Sequence, residues 1–349
     1  MRHSSIVGNH ISVRELITAI NSAVSSPMRG FSTTGVPRLR SGEALAPPSF
    51  RQCDIGLNLC DPMFQGIYHG KRVHVDDLSD VLDRATSSGV SSAIITGTTV
   101  EDSRDALTLA RRLPPEPALF CTVGVHPSHS SIFQQKEQDE ILQSLSELII
   151  DGRMDGKVVA IGECGLDYDR LHFCDKETQK RSFSAQLSLG QHIELPFFLH
   201  NRNTNGEFIQ MLHDHRNCLR HGGVVHSFDG SLSEMQAIVD LGLYIGVNGC
   251  SLKKQENLDV VRQIPLDSLL LETDAPWCGI KATHASEPFV STLFPSKKKD
   301  KFERGVLVKD RAEPCLLVQV LEVVASLKSI RPEELAEVTL ENSQRLFFA

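Results

Sequence analysis

Four residues that can bind metal ions each stand at or near the end of a short apolar run: Glu163, His200, His226 and Asp274. Ionised carboxylates are almost never fully buried unless they are paired or bound to a metal. Two acids and two imidazoles in equivalent positions favour a divalent cation that accepts nitrogen and oxygen ligands, and Zn, Mn, Co and Mg all meet that description. Such a cation lowers the pKa of bound water toward ~7 and polarises a carbonyl or phosphoryl oxygen. The pattern therefore predicts a hydrolytic metal site.

The four runs belong to a set of eight, rich in Val, Ile and Leu, at 53–59, 92–97, 119–125, 158–163, 195–200, 223–227, 243–248 and 268–274. Continuous apolar runs are typical of parallel strands buried on both faces. Polar stretches with helical periodicity separate them, at 76–88, 101–112, 134–151, 175–193, 204–219 and 232–241, and the link 249–267 is less regular. Eightfold alternation of strand and helix predicts an α/β fold of the (β/α)8 TIM-barrel type. A doubly wound open sheet is the alternative, but no glycine-rich phosphate fingerprint follows the first strand.

The barrel would bring the chemistry together, because the C-terminal ends of its strands meet at one mouth where catalysis takes place. Glu163 ends the fourth predicted strand, Asp274 the eighth, and His126 follows the third. From its residue type and position, Glu163 is the candidate to bridge two ions ~3.5–4 Å apart, which would stabilise the attacking and leaving oxygens of a phosphodiester. We expect Asp274 to bind the metal and to orient or deprotonate the attacking water.

Composition separates an N-terminal segment from the rest. Residues 1–52 hold six Arg, nine Ser and only two Glu, whereas the other 297 residues carry 30 basic and 42 acidic side chains. We interpret 1–52 as an extension that is disordered or serves as an organelle transit peptide, and 53–349 as the barrel domain. Arg29-Gly30-Phe31-Ser32 resembles a mitochondrial processing site, and cytoplasm or nucleus is the alternative location. A protein that coats nucleic acid would be basic, so a polyanion must be gripped locally.

The remaining composition excludes other classes. Nine cysteines occur singly with no CxxC pair, which predicts reduced thiols in an intracellular protein. No apolar stretch approaches the ~20 residues of a membrane span, so we expect no membrane association.

Several longer blocks carry a family resemblance: IGECGLDYDR (161–170), FFLHNR (197–202), VVHSFDG (224–230) and LLLETDAPWC (269–278). They resemble the signature blocks of the TatD-type metal-dependent deoxyribonucleases. With DIGLNLCDPMFQGIYHGK (54–71), TVGVHP (122–127), YIGVNGCSLK (244–253) and KDRAEPC (309–315), the chain resembles the eukaryotic branch most closely, from about Cys53 to the C-terminus.

The resemblance implies a function and roles for individual residues. Glu163 would touch both of two metal ions, His200 and His226 one of them, and Asp274 the other, while His126 would contact phosphate or substrate at the edge. It implies 3′→5′ exonuclease or related activity on DNA with Mg, Mn or Zn, one or two ions, and proposed roles in DNA repair and in DNA degradation during cell death. No obligatory protein partner is implied.

The first strand departs from the superfamily pattern. Many members carry D-x-H-x-H there, whereas this chain has Asp54-Ile55-Gly56-Leu57-Asn58. Without the two histidines, one metal would be weakly held and partly hydrated, which suits Mg or Mn better than Zn.

Contacts to substrate are predicted from basic and aromatic residues. Arg202, Lys253 and Arg311 are candidate phosphate partners, and KKKDK (297–301) is a candidate contact to the DNA backbone. Trp277 is the only Trp, and it would either stack on a base or pack in the core or at the rim.

Two other functions stay open. Barrel metal sites host many reactions, so hydrolysis of a different ester, such as mischarged tRNA or a small phosphoester, is the first alternative. A regulatory binding protein with a degenerate site is the second alternative, motivated by the missing histidines and opposed by the four retained ligands.

Overall fold

Eight parallel strands form the centre of the computed structural model, which describes residues 50–113 and 115–349. The strands are β1 Gln52–Leu57, β2 Val90–Ile95, β3 Ala118–Val123, β4 Val158–Asp167, β5 Phe197–Arg202, β6 Gly223–Val225, β7 Tyr244–Val247 and β8 Leu269–Leu271. Each is hydrogen-bonded to the next in sequence order, and every pair is parallel. The eight predicted strands and the TIM-barrel class are confirmed.

The barrel closes between its last and first strands. Just beyond β8, the backbone N–H of Asp274 donates to the carbonyl of Gly56 at 2.8 Å, and the N–H of Asn58 donates to the carbonyl of Ala275 at 2.7 Å. These bonds join the C-terminal edges of the two strands. Asp54, Gly56 and Asn58 therefore face the residues that follow β8.

Helices connect the strands: α1 Leu78–Ser87, α2 Val100–Arg112, α3 Gln138–Met154, α4 Lys176–Leu189, α5 Glu207–Asp214, α6 Leu232–Asp240, α7 Gln255–Val261, α8 Leu317–Lys328 and α9 Pro332–Phe347. The six predicted helical stretches each overlap one of α1–α6, although α2 begins one residue before its stretch and α3 ends three residues after its own, and α7 lies in the irregular link. The sequence reading assigned no helix to the segments that form α8 and α9. Helix α9 packs against β1 and β8, covering the seam where the barrel closes.

Smaller elements complete the described chain. They are the short helix Ile132–Gln135, the ribbons Ile67–Tyr68 with Lys71–Arg72 and Ser296–Lys297 with Leu307–Val308, and 3-10 turns at Pro62–Gln65, Pro127–His129, Tyr168–Arg170, Arg216–Cys218, Leu266–Ser268, Glu287–Phe289, Lys299–Lys301 and Pro314–Leu316.

Three further predictions concern the cysteines, membrane-spanning helices and the N-terminal extension. All nine cysteines, each within the described residues, are free. Among residues 50–113 and 115–349, no helix has the length and apolarity needed to cross a membrane. The predicted extension 1–52, including its targeting segment, lies outside the described residues except for its last three positions.

The burial of the strands in the core explains why they could be predicted from the sequence. All ten residues of β4 are buried, and so are all six of β1. Side chains from several strands and from the end of α9 form one cluster, which includes Ile55, Ile94, Phe198, Val224, Leu270 and Phe347. Removing this much apolar surface from water on both faces of each strand is the main force that holds the barrel together.

Candidate active site

One carboxylate oxygen is the centre of the candidate site. Oε1 of Glu163 lies 2.7 Å from Nε2 of His226, 2.8 Å from Nδ1 of His200 and 3.4 Å from Nε2 of His126. The His200 and His226 nitrogens are themselves 3.3 Å apart. All four side chains are buried or nearly so, with side-chain exposure between 5% and 12%. The structure thus brings together four of the side chains that the sequence placed at strand ends.

A local irregularity in β4 aims Glu163 into this cluster. The strand continues past Glu163 to Asp167, and its pairing with β5 shifts register between Gly162 and Cys164. Such bulges re-aim a side chain, and they are frequent beside active sites. The sequence reading placed the end of this strand four residues too early.

Electrostatics in the cluster favour charge separation. Burial alone would raise the pKa of Glu163, but His226 and His126, with hydrogen bonds from His200 and His226, hold it well below its usual value. Burial would lower the pKa of His226, yet Glu163 and Glu272 raise it well above its ordinary value. The pKa of His200 is also raised against the effect of burial, by Asp167 and Glu163. In the metal-free protein, protons on His200 and His226 balance the acidic groups that a cation would otherwise neutralise.

The donor set fits a metal ion. His126, Glu163 and His200 each offer a ligand atom within 4.8 Å of one another. The 2.7–3.3 Å separations of the Glu163, His200 and His226 atoms are comparable with the ~3 Å edges of a coordination polyhedron built from bonds of ~2.1 Å. Nε2 of His200, buried 3.4 Å from Asp167 Oδ2, makes no hydrogen bond within the described residues. Placing a cation among these atoms would explain their convergence.

His126 differs from the other imidazoles because its ring is already oriented. Its Nδ1 accepts the backbone N–H of Ser128 at 3.1 Å, so the ring proton sits on Nε2, which faces Glu163. Burial lowers the pKa of His126 to about 3, and the ring is neutral. A neutral ring with a proton on Nε2 donates a hydrogen bond and offers no lone pair to a metal there.

Asp274 stands beside the cluster without a direct contact to Glu163. Its Oδ1 accepts a hydrogen bond from Asn58 Nδ2 at 3.0 Å, and its Oδ2 accepts one from Cys278 Sγ at 3.1 Å. Its backbone is in the left-handed region at φ 53°, a costly conformation for a non-glycine residue that is common at functional sites. Burial raises the pKa of Asp274 to about 6, although His226 opposes the rise.

Two buried glutamines of α4 fix the loops that carry these groups. Gln186 pairs with the backbone of Val125 through bonds of 2.7 and 2.9 Å, directly before His126. Gln179 makes the same pair of bonds with Asp167, at 2.8 and 2.9 Å. One helix therefore positions the strand ends on both sides of Glu163.

Arg311 is not available as the phosphate partner that the sequence predicted. Its guanidinium is buried and binds Asp77 through Nη1 and Nη2, at 2.8 and 2.6 Å, and Glu313 through Nη2 at 2.8 Å. We correct the assignment on this ground: two buried carboxylates already satisfy the charge. The residue type and its loop were compatible with a phosphate contact, but Asp77, which takes both guanidinium nitrogens, lies 234 residues away in sequence.

The other two basic candidates remain near solvent. Arg202, at the end of β5, is half-buried and forms an ion pair with Asp229, which follows β6. Lys253 is exposed. Neither is excluded from substrate by its contacts, so both stay predictions.

Comparison with known proteins gives this geometry a context. The family model described as TatD related DNase matches residues 66–348. The chain belongs to the TatD-related DNase family. It is 46% identical over 302 residues to the deoxyribonuclease Tat-D of Schizosaccharomyces pombe, covering 85% of this chain and 96% of that protein. It is 34% identical to the 3′-5′ ssDNA/RNA exonuclease TatD of Salmonella typhimurium, over 84% of this chain and 98% of that one.

A solved structure agrees with the assignment. The crystal structure of a TatD-family hydrolase from Entamoeba histolytica is 37% identical and superposes with a TM-score of 0.79, covering 86% of this chain and 99% of that chain. The protein is accordingly a TatD-family deoxyribonuclease, a hydrolase that acts on the ester bonds of DNA.

Trp277 and the basic run 297–301 of this TatD-family hydrolase differ in how far they are exposed to solvent. Trp277 is 53% exposed, so it does not pack in the core. In the basic run 297–301, Lys297 pairs with Glu303 and Lys299 lies 4.5 Å from the ring centroid of Tyr68, whereas Lys298 and Lys301 are exposed. About half of the predicted positive charge is thus free to meet a DNA backbone.

Sequence reasoning missed two acids that contact the histidines. Asp167 lies 3.4 Å from His200, and Glu272 lies 3.3 Å from His226. A signal was present, because side chains two or four residues apart on a strand face the same side. Asp167 is four residues after Glu163, and Glu272 is two before Asp274.

Proposed function

We propose that this TatD-family protein is a metal-dependent 3′→5′ exonuclease that hydrolyses DNA with an activated water molecule. The convergence of His200 and His226 on one oxygen of Glu163 carries the proposal. It places three atoms that can bind a metal ion within contact distance of one another at the mouth of the barrel. The direction is supported by the Salmonella relative, whose name specifies a 3′-5′ exonuclease.

Glu163, His200 and His226 would hold one divalent ion, Mg, Mn or Zn, through Oε1, Nδ1 and Nε2. When bound, the ion supplies Lewis acidity toward the phosphoryl oxygen and makes water more acidic. Asp274 and the second oxygen of Glu163 are the groups left for another ion. Asn58 offers only a neutral amide there and already donates to Asp274, so we expect any second ion to bind more weakly than the first.

Asp274 is the proposed base. With a pKa of about 6 it is largely ionised at neutral pH, yet basic enough to take a proton from an acidified water. The hydrogen bonds from Asn58 and Cys278 fix both of its oxygens, so the carboxylate does not rotate when the proton moves.

His126 is the proposed donor to substrate. Its Nε2–H points into the cluster, where it would donate to a phosphate oxygen of the DNA end. This assignment agrees with the sequence prediction and separates His126 from the ligands, although its atoms lie close enough to be counted among them.

The test uses purified protein with Mg2+, Mn2+ or Zn2+ and single-stranded DNA labelled at either end. A 3′→5′ exonuclease releases a 3′ label at once and shortens a 5′-labelled strand step by step. Glu163→Gln and Asp274→Asn should abolish cleavage. Asp151→Asn is the matched control, because that exposed carboxylate pairs with Arg111 on the surface, and it should retain full activity.

Several outcomes would overturn the proposal. Cleavage of circular DNA would show an endonuclease, and release of a 5′ label first would reverse the direction. No cleavage with any of the three metals, together with hydrolysis of mischarged tRNA or a small phosphoester, would favour the other esterase. Metal binding without any hydrolysis would favour a regulatory protein.

We also propose that residues 1–52 direct the barrel domain 53–349 to an organelle, on their Arg-rich and acid-poor composition. A fluorescent protein fused to residues 1–52 should enter mitochondria. A diffuse signal would refute the targeting role.

A further inference from the structure

We infer that Glu272 is a positioning residue that keeps the proton of His226 on Nδ1 and so leaves Nε2 free to bind a metal ion. The inference rests on the proposed metal site. Glu272 is fully buried and lies one residue beyond β8, where its carboxyl group contacts His226 from the side opposite Glu163.

One oxygen of Glu272 is committed to accepting hydrogen bonds. Oε1 accepts the backbone N–H of Ser227 and the side-chain N–H of Asn248, the latter at 3.3 Å. The orientation of the Asn248 amide is determined independently, because its Oδ1 accepts the backbone N–H groups of Cys250 and Ser251 at 2.9 and 3.4 Å. Asn248 must therefore turn its NH2 group toward Glu272.

The other oxygen of Glu272 determines the state of the imidazole. Oε2 lies 3.3 Å from Nδ1 of His226, and an acceptor at that place favours a proton on Nδ1. When the ring releases its other proton, the lone pair is therefore on Nε2, 2.7 Å from Glu163 Oε1. A histidine that binds a metal through one nitrogen usually donates its other N–H to a carboxylate or carbonyl, which fixes the tautomer and the ring orientation.

Glycines on the two strands that flank β8, namely β1 and β7, leave room for the carboxyl group of Glu272. A Cβ at Gly56 would lie 2.5 Å from Oε2 of Glu272 and 2.8 Å from Phe198 Cζ, and one at Gly246 would lie 3.2 Å from Oε1. Gly56 is the position where the superfamily pattern has a histidine. The carboxyl group of Glu272 occupies the space that any side chain at Gly56 would need.

The deciding variant is Glu272→Gln, which keeps the shape of the side chain and replaces one hydrogen-bond acceptor with a donor. Its amide oxygen must take the Oε1 place, because Ser227 and Asn248 both donate there, and its NH2 group then faces Nδ1 of His226. Nδ1 becomes an acceptor, and the single remaining ring proton is held on Nε2, the nitrogen proposed to bind the metal. We expect Mn2+ affinity, measured by calorimetry, to fall about 10–100-fold.

The proton on Nδ1 is read without a metal, from the 15N chemical shifts of the His226 ring. The wild type should carry a proton on Nδ1 as well as on Nε2, whereas Glu272→Gln should carry a proton on Nε2 alone. Glu313→Gln is the control for destabilisation, since Glu313 is equally buried but contacts Arg84 and Arg311. This control should lower stability and leave Mn2+ affinity unchanged.

A second variant keeps the test decisive if Glu272→Gln does not fold. Gly56→Ala should displace Oε2 from His226 and weaken Mn2+ binding in the same direction. A proton that stays on Nδ1, together with wild-type Mn2+ affinity, in either folded variant would overturn the inference. A wild type that binds no Mn2+, Mg2+ or Zn2+ would instead refute the proposed function, while the ring shifts would still report on Glu272.

Discussion

The affinity of the site for a divalent cation should fall steeply as the pH is lowered from about 7 to about 5. Metal binding requires deprotonated ligands, and His200, His226 and Asp274 all bind protons in the metal-free protein as the pH falls through this interval. Burial raises the pKa of Asp274 to about 6, so the carboxyl group is ~90% ionised at pH 7 and ~10% at pH 5. If Asp274 binds as the anion, its protonation alone weakens binding about tenfold over this interval.

His226 adds to this dependence. Its pKa is raised well above the ordinary value by Glu163 and Glu272, against the effect of burial, so the ring must release a proton over the whole interval. One proton displaced per ion weakens binding about tenfold for each pH unit, or about 100-fold over two units. Together Asp274 and His226 predict a loss of about 1,000-fold, and the proton held by His200, whose pKa is also raised, adds to it.

Calorimetric titration with Mn2+ at several pH values measures this loss, and the same titration in two buffers of different ionisation enthalpy counts the protons released. Asp274→Asn should remove about tenfold of the pH dependence, whereas Asp151→Asn should leave it intact. An affinity that does not change with pH would refute the reasoning. An unchanged pH dependence in Asp274→Asn would show that Asp274 does not bind the ion.

Three further outcomes follow from contacts described above. Arg311→Lys should lower the free energy of unfolding, measured in urea, by a few kcal/mol, because one ammonium group cannot replace the two hydrogen bonds from the guanidinium to buried Asp77. The KM for DNA should not change, and a raised KM at full stability would restore the phosphate role of Arg311. His126→Ala should reduce kcat/KM about 10–100-fold, the value of a hydrogen bond to a charged group, while Mn2+ affinity stays constant; a parallel loss of Mn2+ affinity would make His126 a ligand. Burial raises the pKa of Asp54 to about 8, so the folded metal-free protein holds a proton that the unfolded chain releases near pH 4. The urea midpoint should therefore decrease as the pH rises from about 4 to about 8. Asp54→Asn should flatten that profile, and an equally steep profile in this variant would contradict the assignment.

The strands could be predicted from the sequence because burial on both faces leaves a continuous apolar run in each. Helix bounds were less accurate, since ends depend on capping and packing. Helix α5, for example, stops at Asp214, and a separate 3-10 turn at Arg216–Cys218 continues the polar stretch. Helices α8 and α9 escaped assignment because they follow the eighth strand, outside the alternation on which the prediction depended.

The site could be predicted to the level of which residues converge. Glu163, His200 and His226 were placed together because parallel strands share one C-terminal edge. The direction of each ring could not be predicted, since it depends on Ser128 beside His126 and on Glu272 beside His226. Arg311 was assigned wrongly for the same reason, as its partner Asp77 lies 234 residues away in sequence.

The first strand also limits how the chain can be shortened. The family match begins at residue 66, yet β1 ends at Leu57 and closes the barrel through Gly56 and Asn58. A recombinant fragment designed on the matched range alone would expose the edges of two neighbouring strands and lose the donor to Asp274. A maturation protease faces the same boundary. Removal of the predicted targeting segment leaves a closed barrel only if the cut falls before Gln52, where β1 begins.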